Sequence, residues 1–121
     1  MNKTMIRAQV KRLIDKSNKM FRTSIDRPTV TFFNKGQNAG WSESVSNVVA
    51  FNEILALENP LEFRDVVIHE VAHIVTDKLF PNATRMHGQE FKVICRALGG
   101  SGETRHDLDV SSVKIKYKCK K

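Results

Sequence analysis

The stretch NPLEFRDVVIHEVAHIVTDKL, residues 59–79, combines a helix start signal with an apolar repeat of helical spacing. Asn59 can cap a helix, Pro60 suits the first helical position, and Glu62 can reach back to the cap. We therefore predict a helix that begins here and ends before Pro81. Its apolar positions, which recur every three or four residues, are Phe63, Val66, Val67, Val71, Ile74 and Val75. This pattern predicts a largely buried helix.

The same helix carries the motif HEVAH at residues 69–73. His69 and His73 lie four positions apart, so both imidazoles project from one helix face and can reach one ion. Glu70 is one step round the helix, where it can contact a metal-bound water rather than the metal. Two histidines and a glutamate have no packing reason to lie in a buried helix. We therefore predict a metal site in which Glu70 is the general base.

A catalytic zinc site needs a third protein ligand beside a position that stays open for water. Position 79, six residues after His73, is a leucine and cannot supply it. Two candidates remain further along the chain. His87 follows a turn and opens the next predicted helix, and Glu90 lies three residues later on the same face. The chemistry favours His87, while Glu90 stays open as a ligand or as an acceptor for a histidine N–H.

Other elements are predicted on both sides of this helix from hydrophobic period and turn residues. They are an amphipathic helix over residues 4–21, strands over 29–33, 40–44 and 48–51, a helix over 88–98, and a basic tail over 111–121 with strand-like alternation from residue 113. The third helix should end at Gly99-Gly100. The length of 121 residues predicts a single domain.

The net charge of +7 is unevenly distributed. Residues 1–27 carry eight basic and two acidic side chains, residues 28–110 carry seven and eleven, and residues 111–121 carry five lysines and no acid. Two basic ends around an acidic middle indicate an anionic partner, with nucleic acid the leading candidate. The tail residues expected to contact it are Lys114, Lys116, Lys118 and Lys120. Solvated, solubilising faces are the alternative explanation.

Several classes of protein are disfavoured. No run approaches the roughly 20 apolar residues of a membrane helix, and the N-terminus lacks the pattern of a signal peptide. The two cysteines, Cys95 and Cys119, imply no disulfide framework. A cytoplasmic protein without a membrane partner is expected, associated with the nucleoid if it binds DNA.

Several segments, in a fixed order, resemble the SprT/Spartan family of zinc metalloproteases. They are QNAGW (37–41), VVAFNEIL (48–55), HEVAH (69–73), HGQEFK (87–92), ALGG (97–100), TRH (104–106) and YKC (117–119). The second resembles the family's I-x-L-N-x-x-L segment, the fourth its H-G-x-E-F/W-K box, and the last the opening of its C-terminal zinc ribbon. An ordered series of this kind is much more specific than HExxH alone.

The resemblance implies a single SprT-like metalloprotease domain over residues 1–121 with an α+β, zincin-like fold. In that fold a small antiparallel sheet packs on the HExxH helix, which has flanking helices before and after it in sequence. The resemblance implies one Zn²⁺ ion held by His69, His73 and His87, with Glu70 catalytic. Glu90 and His106 are candidates for supporting positions beside the ligands. Extended substrate would lie along an edge strand, either residues 40–44 or residues 48–51.

The resemblance also implies the substrate class. Spartan-type members degrade proteins crosslinked to DNA, so we predict a zinc-dependent endopeptidase acting on proteins bound or crosslinked to DNA. The alternatives are a DNA- or partner-binding module with weak or no proteolytic activity, against which the intact Glu70 argues, and a metallohydrolase for a non-peptide amide. The family's ribbon needs four cysteines, and the sequence ends two residues after Cys119. We therefore predict that residues 111–121 form a basic tail, which is either the beginning of a truncated ribbon or part of a natural form without one, and we do not assign Cys119 as a ligand.

Overall fold

The computed structural model describes residues 1–81 and 88–102. Its elements within those ranges are α1 (Lys3–Phe21), β1 (Thr29–Phe33), β2 (Gly40–Glu43), β3 (Val48–Asn52), α2 (Glu53–Glu58), α3 (Phe63–Leu79) and α4 (Gln89–Ala97). The predicted α+β class is confirmed, with a small sheet and several helices. The predicted basic tail, residues 111–121, lies outside the described residues.

The sheet has the strand order β1–β3–β2. Strand β2 is antiparallel to β3, with Gly40 opposite Phe51, but β1 is parallel to β3, with Thr29 opposite Val48. The prediction of an antiparallel sheet is therefore confirmed for β2 and β3 and wrong for β1, because β3 inserts between the two strands that precede it. Burial explains the order: residues 49–52 of β3 are all buried, and the most apolar strand takes the centre. Of the two candidate edge strands, residues 48–51 lie in the central strand for the same reason, and residues 40–43 form an edge strand, β2.

Helix α3 lies at the centre of the fold. Every residue from Val66 to Thr76 is buried, as is Phe63 at its start. Helices α1 and α4 and strands β2 and β3 all contact it. The predicted burial of the apolar stripe is confirmed, and the structure extends it to the remaining faces, which carry the histidines and the glutamate.

The start of α3 differs from the prediction. The helix begins at Phe63, and Glu62 in the preceding position makes no side-chain capping bond. Asn59 instead ends α2: its backbone N–H and its side-chain amide both donate to the carbonyl of Leu55, at 2.9 and 3.1 Å. The side-chain amide of Asn59 thus satisfies the carbonyl end of α2, while its backbone carbonyl accepts from the N–H of Phe63 at 2.9 Å at the start of α3. Helix α2 has six residues, too few for its period to be detected in the sequence.

Asn52 joins three parts of the fold with one buried side chain. Its Oδ1 accepts from the backbone N–H groups of Ile54 and Leu55, at 3.1 and 3.2 Å, and so caps α2. Its Nδ2 donates to the carbonyls of Gly36 and Asn38, at 3.0 and 3.2 Å. The side chain therefore ties the end of β3 to the start of α2 and to the loop that leads into β2.

The end of α4 agrees with the prediction. Gly99 has a φ of 97°, and the N–H of Gly100 donates to the carbonyl of Cys95 at 2.9 Å. A Cβ added at Gly100 would lie 2.7 Å from Cys95 Sγ and 2.8 Å from Ile68 Cγ2, so this glycine permits the close contact between α4 and α3. None of the described helices is long and apolar enough to cross a membrane.

Candidate metal centre

Helix α3 brings the two histidines of the motif together. The Nε2 atoms of His69 and His73 lie 3.2 Å apart, and the ring centroids are 4.8 Å apart in an edge-to-face arrangement. Both residues are buried. Two nitrogens bound to one tetrahedral zinc ion at about 2.0–2.1 Å are roughly 3.3–3.4 Å from each other. The spacing in the structure therefore fits two ligands of a single zinc ion.

Glu70 lies on the side of α3 that faces strand β2. A Cβ added at Gly40 would lie 3.4 Å from Glu70 Cγ and 2.8 Å from the carbonyl oxygen of Ala50. The glycine at the start of β2 thus lets the strand backbone pass directly over the glutamate. Because Glu70 is only 3% exposed, its side chain is held in a restricted space between α3 and β2.

The donor set of the site is compatible with zinc. Burial of a charge or of an unpaired polar group costs free energy, and three ionisable side chains, His69, Glu70 and His73, lie within five residues of a buried helix. Neutral imidazole nitrogens are among the preferred ligands of zinc, and a bound dication offsets the burial of a nearby carboxylate. The residues present therefore fit the metal that the motif implies.

Phe91 of α4 contacts both histidines, a role that the sequence analysis missed. Its ring stacks on His73, with centroids 4.4 Å apart and an interplanar angle of 26°, and meets His69 edge-on at 5.0 Å. The residue is fully buried. The available signal was its place as the first apolar position of α4, which predicts burial but not which side chains it contacts.

Of the other predicted site residues, Glu90 is described by the structure. Glu90 is exposed in the first turn of α4, where it lines a groove of about 270 Å³ together with Leu79 and Phe80. His87, His106 and the tail lysines lie outside the described residues. Over residues 1–81 and 88–102, no three His, Cys, Asp or Glu side chains are grouped to hold a metal ion. A third protein ligand is thus not found in those ranges.

The turn at the end of β2 is held by a carboxylate. Glu43 accepts hydrogen bonds from the Ser46 hydroxyl and from the backbone N–H groups of Ser46 and Val45. These bonds, led by the one from the Ser46 side chain, lower the pKa of Glu43. The neighbouring Ser44 hydroxyl donates to Asp77 Oδ2 at 2.8 Å. The turn therefore anchors β2 to α3 beyond the motif.

The fold and the site together define an α+β domain of the zincin-like class, in which a small sheet packs on a buried HExxH helix. Residues 10–114 match the SprT-like family. The chain belongs to that family.

Curated relatives agree with this assignment. Protein SprT of Glaesserella parasuis is 34% identical over 119 residues, which cover 94% of this chain and 76% of the relative. Protein SprT of Actinobacillus succinogenes is 35% identical over 122 residues, covering 97% and 71%. Protein SprT of Pseudomonas aeruginosa is 36% identical over 119 residues, covering 94% and 72%. No solved structure matches the chain.

Proposed function

We propose that this protein is a zinc-dependent endopeptidase whose substrates are proteins bound or crosslinked to DNA. The observation that carries the proposal is the pair of buried imidazoles whose Nε2 atoms lie 3.2 Å apart, on a helix in which the buried Glu70 directly follows His69. Membership in the SprT-like family supports it. Such a site is suited to hydrolysis of an amide bond, because it combines a Lewis acid with a general base.

His69 and His73 would hold the ion, which when bound supplies Lewis acidity to activate water and polarise a carbonyl group. Glu70 accepts the proton of the attacking water and passes it to the nitrogen of the leaving amine. Gly40 has no side chain, so the backbone of β2 can approach Glu70 closely and restrict the space around it. These roles belong to three side chains of the motif and to the backbone of β2, which packs on it.

We assign the third ligand to His87. The support comes from Gly88 and Phe91, which follow it in sequence: Gly88 precedes the first turn of α4, and Phe91 contacts both histidine rings. The chain therefore enters α4 next to the site. Glu90, which is exposed and lies one residue before Phe91, is the alternative third ligand, or an acceptor for a histidine N–H if His87 is the ligand.

The ligand assignment is tested by the zinc content and zinc affinity of two variants. His87→Ala should weaken zinc binding by orders of magnitude, whereas Glu90→Ala should weaken it by about 10- to 100-fold, the effect expected of a residue that only orients a ligand. If His87→Ala retains zinc and Glu90→Ala loses it, the third ligand is Glu90.

DNA is proposed as the partner because of the charge on α1. The exposed basic side chains of this helix and its C-cap are Lys3, Arg7, Lys11, Arg12, Lys16, Lys19 and Arg22. Asp15, the one acid of the helix, is paired with Arg27, whose Nη2 lies 2.9 Å from Asp15 Oδ2, and of the basic residues Lys3 is paired with Glu53, with Nζ 3.2 Å from Oε2. The surface of α1 is thus strongly positive, as a phosphate-binding surface requires. With such a partner the protein would act in the cytoplasm, at the nucleoid.

The activity is tested with zinc-loaded protein and its Glu70→Gln variant, each incubated with a DNA-binding protein as substrate, with and without DNA. Wild-type protein should cleave the substrate, and DNA should accelerate cleavage because it raises the local concentration of substrate. Glu70→Gln should keep its zinc and its melting temperature while cleavage falls to background. Loss of zinc in this variant would make Glu70 a structural residue and refute the mechanism. Zinc-loaded wild-type protein that binds DNA but cleaves nothing would identify a binding module.

The DNA contact is tested by the salt dependence of binding. Each phosphate neutralised on duplex DNA contributes about 0.9 to the slope of log affinity against log salt concentration. Replacement of Lys114, Lys116, Lys118 and Lys120 by Gln should flatten that slope by up to about 3 to 4 units and leave zinc binding unchanged. Binding that is weak at low salt, and equally weak in the variant, would show that these charges serve solubility.

A further inference from the structure

Three aromatic rings contact one another at the centre of the motif. The two imidazoles meet edge-to-face at 4.8 Å, and Phe91 touches both, stacked on His73 at 4.4 Å and edge-on to His69 at 5.0 Å. Phe91 comes from α4, a different helix from the histidines. The arrangement places a fully buried phenyl ring in contact with both candidate ligands.

This contact restricts the rotation that matters for metal binding. The ring of a histidine turns about a broad terminal torsion, so helix geometry alone does not fix the direction in which Nε2 points. Aromatic rings at these separations prefer stacked or edge-to-face geometries, and Phe91 makes one of each. A single side chain therefore limits the orientation of both imidazoles.

The electrostatics of the stack act in the same direction. The face of a phenyl ring carries partial negative charge and attracts cationic groups. An imidazole that binds a dication becomes electron-poor, so the stacked contact of His73 with the face of Phe91 strengthens when metal is bound.

We propose that Phe91 is a positioning residue for the metal centre, which holds the rings of His69 and His73 so that their Nε2 atoms converge on one ion. The inference rests on the proposed function, since it assumes that these histidines bind zinc. It assigns to Phe91 a role beyond filling the core, and it predicts that metal affinity depends on the aromatic ring rather than on apolar volume.

Phe63 provides a matched control. It lies in α3, it is fully buried like Phe91, and its ring contact is with Phe51, at 6.0 Å. Phe91→Leu and Phe63→Leu make the same chemical change in equally buried positions. A role in packing alone predicts the same effect from both variants.

The experiment measures the zinc dissociation constant of each folded variant by competition with a chromophoric chelator, the visible spectrum of the Co²⁺-substituted protein, and the melting temperature of the metal-free form. Both variants should lose comparable thermal stability. Phe91→Leu should weaken zinc binding by about 10-fold or more and alter the Co²⁺ spectrum, which reports ligand geometry. Phe63→Leu should stay within about twofold of wild type in affinity, with an unchanged spectrum, as expected of a residue outside the ligand shell.

A further variant, Phe91→Tyr, keeps the ring faces and should retain affinity within about threefold of wild type, so the inference stays testable if Phe91→Leu does not fold. Equal zinc affinities for Phe91→Leu and Phe63→Leu would overturn the inference, as would a Phe91→Tyr variant that binds zinc about 10-fold or more weakly than wild type. Wild-type protein that binds no zinc would instead refute the proposed function, an outcome distinct from unchanged affinity in Phe91→Leu.

Discussion

Replacement of Asn52 by alanine tests how one polar side chain supports both the fold and the site. Its Oδ1 accepts the two N–H bonds that cap α2, and loss of such a cap costs about 1 kcal/mol. Its Nδ2 donates to the carbonyls of Gly36 and Asn38, and each of these bonds contributes about 1 kcal/mol. We therefore expect Asn52→Ala to lower the free energy of unfolding by about 3 kcal/mol.

The assay is equilibrium unfolding in urea, followed by circular dichroism. With a slope of about 1–3 kcal/mol per molar urea, a loss of this size moves the midpoint down by roughly 1–3 M. Asn34→Ala is the control, because Asn34 is exposed in the loop that follows β1 and should change stability by less than about 0.5 kcal/mol. If Asn52→Ala lowers the free energy of unfolding by no more than Asn34→Ala does, the buried bonds of Asn52 do not stabilise the junction and the reasoning fails.

Three further changes probe the surroundings of the site. Gly40→Ala should reduce peptide hydrolysis more than zinc binding, because its Cβ would meet a facing carbonyl oxygen at 2.8 Å and displace β2 from Glu70; unchanged hydrolysis would contradict this. Gly100→Ala should lower the free energy of unfolding by about 1–3 kcal/mol, since its Cβ would lie 2.7 Å from Cys95 Sγ. A melting temperature equal to that of wild type would show that α4 and α3 are not packed this closely. Burial raises the pKa of Cys95 to about 11, so its thiol is neutral at pH 8. In a Cys119→Ser background, Cys95 should therefore react with Ellman's reagent only when the protein unfolds. Prompt reaction of the native protein would show that the thiol is accessible.

Much of the fold could be predicted because its signals are local. The apolar repeat of α3, the β-branched and aromatic run of β1 and the glycine pair after α4 each specify an element from neighbouring residues. The order of the strands could not be predicted in this way. Which strand takes the centre depends on how β1 and β2 both pair with β3 and on how the sheet packs on α3, which are contacts between separate parts of the chain.

The start of α3 shows a second limit. Asn59 followed by Pro60 is a good helix-start signal, but the same asparagine can also satisfy the last carbonyls of a preceding helix. In the structure the Asn59 side chain acts in the second way, because α2 ends at Glu58 and its carbonyls need donors, and only the backbone carbonyl of Asn59 accepts from the N–H of Phe63 in α3. When a residue such as Asn59 can serve either of two helix ends, the neighbouring helix determines which end its side chain binds.

In the candidate site too, the features set by local geometry could be predicted and those set by contacts between elements could not. His69, Glu70 and His73 could be placed together because helix geometry alone relates them. The approach of Gly40 to Glu70 and the ring contacts of Phe91 arise from other elements that pack on α3, so no spacing in the sequence reveals them. His87, assigned on chemistry and on family resemblance, stays a prediction.

The strand order has a consequence for the path of folding. Strands β2 and β3 form a hairpin across a four-residue turn, whereas β1 must wait for β3 before it can pair, since Thr29 lies opposite Val48. Closing the longer loop costs more chain entropy, so we expect the hairpin to form early and β1 to join the sheet after the rate-limiting step. Stopped-flow measurements should then show Val30→Ala accelerating unfolding and Val49→Ala slowing refolding, and the reverse pattern would mean that β1 belongs to the folding nucleus. On this path β1, the edge strand on the opposite side of the sheet from β2, is the last strand to pair and the first to detach on unfolding.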